Sequence, residues 1–174
     1  MSLKELTWEK HQNAERRVYA KKLMSGKMTA EEYHRYLHNQ FIIYTALEAQ
    51  IDHPGIEDVF RSAYIDMDLK ELEEKYNIKR DVNTEVCPVV WEYSNYVTTL
   101  DQKQLLAHLY VRHFGDMYGG SMIAKRIPGS GKMYQFENKQ DLIAMIREKL
   151  NDSMADEANV CFDYAIRLFE ELEA

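Results

Sequence analysis

The sequence predicts an all-α fold in a single domain, 1–174. Three prolines and seven glycines are all that punctuate the 174 residues. Between them the apolar residues recur in steps of three and four, the period of a helix. No repeat, low-complexity tract or linker divides the chain, and its length is enough to bury a core and close around a small ligand.

Seven or eight helices follow in order. The first spans about Leu3 to Leu23, with Leu3, Leu6, Thr7, His11, Ala14 and Val18 on one face, and ends at Ser25-Gly26. His11 therefore points inward. The second opens on the capping box Thr29-Ala30-Glu31-Glu32 and carries Tyr33, Tyr36, Leu37, Gln40, Phe41, Tyr44, Leu47 and Glu48 on its stripe. It stops at His53-Pro54-Gly55. Shorter helices are expected at about 56–64 and 66–76. Cys87-Pro88 starts a helix of about ten residues, because proline lacks only an N–H that the first turn leaves unpaired anyway. A long helix covers about Asp101 to Arg126, and two more, about 139–150 and 153–172, finish the chain. The last buries Ala155, Ala158, Phe162, Ile166, Phe169 and Leu172.

The long helix contains an oddity. Residues 112–121 read RHFGDMYGGS, with three of the seven glycines inside six residues. A glycine inside a helix costs roughly 1 kcal/mol relative to alanine, so the run gives up on the order of 3 kcal/mol. Losing those side chains lets the backbone approach a ligand, and Gly119-Gly120 permits a bend, so the helix can lie over a planar molecule. Asp116 is then the nearest ionisable group. Close helix packing through small residues explains the run as well, and the residues alone leave both readings open.

Composition narrows the function classes. The formal net charge is −7 with no basic stripe, which argues against a nucleic-acid face. No apolar run approaches the roughly 20 residues of a membrane span, and MSLKELTWEK carries charges where a signal peptide is apolar. The two cysteines, Cys87 and Cys161, have no paired spacing, which favours a reducing compartment. A soluble, cytoplasmic protein is the expectation, with neither nucleic acid nor membrane as partner. Nine methionines and twenty aromatics are consistent with a core shaped around a flat apolar ligand, and ordinary packing explains them more often than not.

Lys4, His11 and Glu15 fall within a narrow arc of the first helix. Lys4 lies two turns before His11, about 10 Å along the axis, which matches the reach from a heme iron to its propionates. Glu15 can accept the second imidazole N–H and strengthen the ring as a metal ligand. A buried histidine flanked by surface charges has the same spacing. His34 and His38 fall off the stripe of their helix and read as surface, without the His-Glu-x-x-His pattern of zinc proteases. The one Glu-x-x-His, Glu31 to His34, has no second copy, as a di-iron site requires. Neither cysteine has a histidine partner in sequence, and Pro128-Gly129-Ser130-Gly131-Lys132-Met133 fails as a phosphate loop.

Leu3-Lys4-Glu5-Leu6-Thr7-Trp8-Glu9-Lys10-His11-Gln12-Asn13-Ala14-Glu15 resembles the opening helix of the heme oxygenases, with its LKExTxxxHxxAE pattern. Gln40 to Glu48 is similar to that family's second helix. Tyr110 to Gly120 is similar to its distal helix, usually written YxRYLGDLSGG, and Tyr134-Gln135-Phe136 and Ile166 to Leu172 extend the match. The resemblance implies a heme-oxygenase-like fold with heme b between the first, proximal helix and a glycine-bent distal helix.

It further implies His11 as iron ligand with Glu15 supporting it, and Lys4 and Tyr110 on the propionates. Gly115, Gly119 and Gly120 would rest over the heme. Asp116 would organise the distal water, supported by Tyr44 and Arg112. Heme would be cofactor and substrate, opened with O2 and an external electron donor to biliverdin, CO and iron. Ferredoxin or a similar reductase protein is the implied donor, and a bilin reductase an implied downstream partner. A non-catalytic heme carrier or sensor on the same fold is the alternative. Met117-Tyr118 and Ser121 depart from the distal pattern. Asn159 and Asp163 stand where relatives often have basic propionate contacts, and Arg167, one turn later, is the implied substitute.

Overall fold

The computed structural model describes residues 1–174, and its regular structure is helical throughout. The expected first helix is three: α1 (Leu3–Leu6), α2 (Trp8–Glu15) and α3 (Val18–Ser25). Neither break carries a glycine or proline. At Thr7 (φ −109°, ψ 0°) the side-chain hydroxyl turns back to donate to the Leu3 carbonyl at 2.9 Å, a local bond that competes with the helical ladder. At Arg17 the backbone is extended (φ −62°, ψ 144°). Gly26, left-handed at φ 78°, ends α3 at the expected place.

Then come α4 (Ala30–Gln50), α5 (Ser62–Tyr76), α6 (Val82–Glu85), α7 (Pro88–Val97), α8 (Gln102–Ala124), α9 (Lys139–Arg147) and α10 (Ala155–Glu173). The capping box predicted at Thr29 forms with Glu32, and Asp101 makes another with Gln104 at the head of α8. The pair of helices expected over 56–76 is instead a 3-10 turn at Glu57–Val59 and one helix, α5. Its start is displaced to Ser62 because the buried Glu48 carboxylate accepts from the backbone N–H groups of Arg61 at 2.6 Å and Ser62 at 3.0 Å. That carboxylate performs the N-capping that no residue of the loop supplies.

Helix α4 runs through the interior, packed by α5, α6, α7 and α8, while α10 lies across α2, α3, α7 and α8. Most of the core gathers around α4, with Tyr33, Leu37, Ile43, Leu47, Leu69, Leu72, Val90 and Tyr93 all buried. No helix is long and apolar enough to cross a membrane.

The surface reading of His34 and His38 is overturned: both are buried. The face of α4 that carries them is covered at this level by Glu73 of α5 and Glu85 of α6, and reaches solvent further along at Thr45 and Ala49. Glu85 bonds Nδ1 of His34 and, at 2.8 Å, Nδ1 of His38, and Glu73 bonds Nε2 of His34 at 2.8 Å. Burial pushes the Glu73 carboxyl up, but hydrogen bonds from Arg80 and His34 outweigh it and hold the carboxyl below its usual range. The pair thus ties α4 to α5 and α6. Replacing His34 with alanine removes one partner from each of two partly buried carboxylates and opens a void, and is expected to destabilise the chain by about 2–4 kcal/mol. The loss would be read as a lower urea midpoint at unchanged slope.

Candidate functional site

One cavity of about 670 Å³ lies between the N-terminal segment, α8, α9 and α10. That volume is in the range of sites that enclose a small organic ligand. Lys4 and His11 line it from the N-terminal side, Tyr110 and Gly115 from α8, Arg147 from α9 and Phe162 from α10. The break at Thr7 leaves Lys4 and His11 on different helices, yet both face the cavity.

His11 is half-exposed, stacked on Phe162 with ring centroids 5.5 Å apart and met edge-on by Trp8 at 5.4 Å. Glu15 bonds its Nε2 at 2.7 Å, leaving Nδ1 without a protein partner.

On the other wall α8 runs as one continuous helix through the glycine run, with no positive φ at any of the three. The three are not equivalent. A Cβ added at Gly115 or Gly119 meets nothing within 4 Å, whereas one at Gly120 would sit 2.6 Å from the Tyr134 ring. Gly115 and Gly119 are therefore missing side chains that leave open space. Gly120, buried, is a packing glycine against Tyr134, the alternative explanation of the run.

Asp116 stands one residue beyond Gly115. Tyr44 donates to its Oδ2 at 2.7 Å, leaving Oδ1 free. Burial raises the Asp116 carboxyl to about 6, against the pull of the His113 ring, the Tyr44 hydrogen bond and the Arg61 and Arg112 charges. Tyr44 itself is held neutral, because burial and the neighbouring Asp116 push its hydroxyl well above the ordinary value. Arg112 makes no hydrogen bond to this pair. Its Nε donates to the Tyr93 hydroxyl at 3.1 Å, and its guanidinium lies 4.5 Å over that ring. It supports Asp116 by charge alone.

Arg167 is displaced from the role expected of it. It is half-exposed, paired with Glu92 and placed over Tyr164 at 5.4 Å, outside the cavity lining. Asn159 donates to the Leu6 carbonyl at 3.3 Å and Asp163 pairs with Lys10 at 2.7 Å, so both positions fasten the N-terminal segment to α10. The second cation of the cavity, beside Lys4, is Arg147, which the sequence reading missed. It bonds the Tyr118 hydroxyl. The available signal was its place in the last turn of a short amphipathic helix.

Cys161 is buried beside Tyr93 and His108, a proximity the sequence order did not suggest. Burial pushes the thiol up, and Arg112 and His108 outweigh it and hold it below its ordinary value. His108 commits Nδ1 to Tyr93 at 2.7 Å and Nε2 to Glu157 at 2.9 Å, which makes this a structural network rather than a nucleophile with a free base.

The heme oxygenase family model matches residues 1–171. The heme oxygenase of Porphyra purpurea is 26% identical over 210 residues, covering 99% of this chain and 85% of the relative. The heme complex of heme oxygenase-1 from the cyanobacterium Synechocystis superposes with a TM-score of 0.82 at 22% identity, over 98% of this chain and 90% of that one. Heme oxygenase from Leptospira interrogans gives 0.79 at 22% identity, over 98% and 100%.

The glycines provide a direct test of the cavity wall. Gly115→Ala and Gly119→Ala are expected to keep or raise the melting temperature, each worth up to about 1 kcal/mol of helix propensity, while weakening heme uptake measured by absorbance titration. Gly120→Ala, driven into Tyr134, is expected to lower stability by about 1–3 kcal/mol.

Proposed function

The chain belongs to the heme oxygenase family, and on that premise we propose that it opens bound heme to biliverdin, CO and ferrous iron, with His11 as iron ligand and Asp116 as the distal acid–base group. One observation carries the reading. A tyrosine-held carboxyl, Asp116, directly follows Gly115, whose missing side chain leaves open space in the wall of a cavity that also presents a histidine with one free ring nitrogen.

The residues present fit heme. Gly115 and Gly119 leave space that any Cβ would fill, His11 offers a nitrogen, and Lys4 and Arg147 bring cations suited to propionate carboxylates. When bound, heme supplies the redox-active iron and the carbon skeleton that is opened, with O2 as oxidant and an external protein as electron source.

The remaining chemistry belongs to this chain. Glu15 holds one imidazole nitrogen and so orients the ring and raises its donor strength. Phe162 and Trp8 fix the ring plane from two sides. Lys4, Tyr110 and Arg147 set in-plane orientation from the cavity rim, which decides which edge of a flat ligand comes nearest α8. A neutral imidazole donates less electron density than a thiolate, and the wall at Gly115 presents no cation, so the environment does not promote O–O heterolysis. Asp116 Oδ1, free of protein partners and titrating near 6, can take up or release a proton through an ordered water near neutral pH. A ferredoxin or similar donor, a bilin reductase as consumer of the product, a single functional domain over 1–174 and a cytoplasmic location complete the proposal.

Anaerobic heme binding followed by turnover with ascorbate or ferredoxin tests it, with chromatography of the bilin identifying product and isomer. Intact heme after reductant and O2 would instead indicate a carrier. His11→Ala is expected to lose normal ring opening, and Asp116→Ala to bind heme but open it at least about 10²-fold more slowly.

The Asp116 carboxyl is higher in the fold than in the unfolded chain, so its stabilising contribution is complete below about pH 4 and lost as the pH rises through about 6. Asp116→Asn should accordingly melt higher than the wild type at pH 8, with the gap closing toward pH 4.

A further inference from the structure

His113 occupies the fourth place of the distal pattern, where the family pattern has tyrosine. It lies three residues before Asp116 on α8, so the two side chains are neighbours on the helix surface, about 5–6 Å apart at Cβ. It is completely buried. Its Nε2 is 2.8 Å from Glu48 Oε2. Glu48 also accepts from the backbone N–H groups of Arg61 and Ser62. Burial pushes the Glu48 carboxyl up, but the His113 hydrogen bond and those two N–H groups outweigh it and hold it below the usual range. An ionised carboxylate only accepts, so the proton in this contact sits on His113 Nε2.

The other nitrogen, Nδ1, is buried with no hydrogen-bond partner. Its surroundings are aromatic, with the Tyr44 ring at 5.0 Å and the Phe60 ring at 6.4 Å. Tyr44 is the residue whose hydroxyl holds Asp116. A nitrogen left orphaned in a buried site carries a free-energy penalty, which a purely packing residue would avoid by being apolar.

The other groups around Asp116 do not change charge in the working pH range. Tyr33, Tyr36 and Tyr44 on α4 and Tyr134 after α8 are all held neutral by burial. Arg61 before α5 and Arg112 on α8 remain guanidinium cations. His113, with Glu48 behind it, is the imidazole among these neighbours.

We propose that His113, anchored by Glu48, is a positioning residue for the reaction: it fixes the ring against which Tyr44 stands and so holds the Tyr44 hydroxyl on Asp116. This rests on the reading of Asp116 as the distal acid–base group. The Tyr44 hydroxyl is the donor that favours the ionised Asp116 carboxyl, so loosening the ring that backs Tyr44 is felt at Asp116.

The test is a carbon-13 titration of the Asp116 carboxyl in the heme-free full chain, in wild type and in His113→Gln, whose amide can still donate to Glu48. The Asp116 midpoint is expected to rise by about half a pH unit or more in the variant. The pH profile of heme opening should shift in the same direction. An unchanged midpoint in folded His113→Gln overturns the proposal. If that variant fails to fold, the wild-type protein decides through nitrogen-15 spectra of the His113 ring. A protonated Nε2 and a ring signal that moves with the Asp116 titration are expected, and a ring signal blind to it overturns the proposal. Retention of full heme opening in Asp116→Asn would sink the distal acid–base reading separately, leaving the measured coupling between His113 and Asp116 intact.

Discussion

The Glu48 carboxylate is where three helices are joined, and the distal side of the cavity depends on that junction. It sits on α4, starts α5 by accepting the Arg61 and Ser62 N–H groups, and bonds His113 on α8. One turn earlier on α4, Tyr44 bonds Asp116, one turn later on α8. The two contacts form polar rungs across an antiparallel helix pair. A one-turn slip of α8 against α4 would break both, taking the Tyr44 donor from Asp116 and His113 from Glu48, an arrangement costlier than a shift of apolar side chains. The position of Asp116 relative to the cavity is therefore set by register rather than by the packing of α8 alone.

The two walls of the cavity are held by different means. Helix α8 buries Leu105, Leu106, Leu109, Phe114 and Met117 and belongs to the core. Helices α1 and α2 bury only Leu3 and Ala14 and are tied down at discrete points, among them the Lys10–Asp163 pair, the Asn159 bond to the Leu6 carbonyl and the stacking of His11 on Phe162. Local opening takes less free energy on the His11 side than on the Asp116 side.

Much of this was legible from spacing and caps. The glycine-poor, three-and-four periodicity marked the helices, and Thr29, Asp101 and Gly26 fell where their side chains or backbone freedom are needed. His11 and Glu15 met as their i, i+4 spacing implied. What escaped was decided by tertiary contact. No sequence signal breaks the first helix at Thr7 and Arg17. The face of α4 that carries His34 and His38 is covered there by α5 and α6 yet exposed at Thr45 and Ala49, so helical phase alone assigned both histidines to solvent. Arg147 and Arg167 are both arginines on amphipathic helices, and only the packing of α9 and α10 decides that the first faces the cavity and the second pairs with Glu92. The rung between His113 and Glu48 joins residues 65 apart in sequence and has no local trace.

The glycine run also divides the chain's tolerance to change. At positions 115 and 119 the backbone faces open space, so new side chains there alter the ligand's surroundings while leaving the packed interior untouched. At 120 the Tyr134 ring forbids even a methyl group. Selection can therefore reshape what the cavity admits, one small residue at a time, without first having to rescue a misfolded intermediate, and of the neighbouring departures Tyr118 and Ser121 are exposed on the outer side of the helix while Met117 is packed in the core.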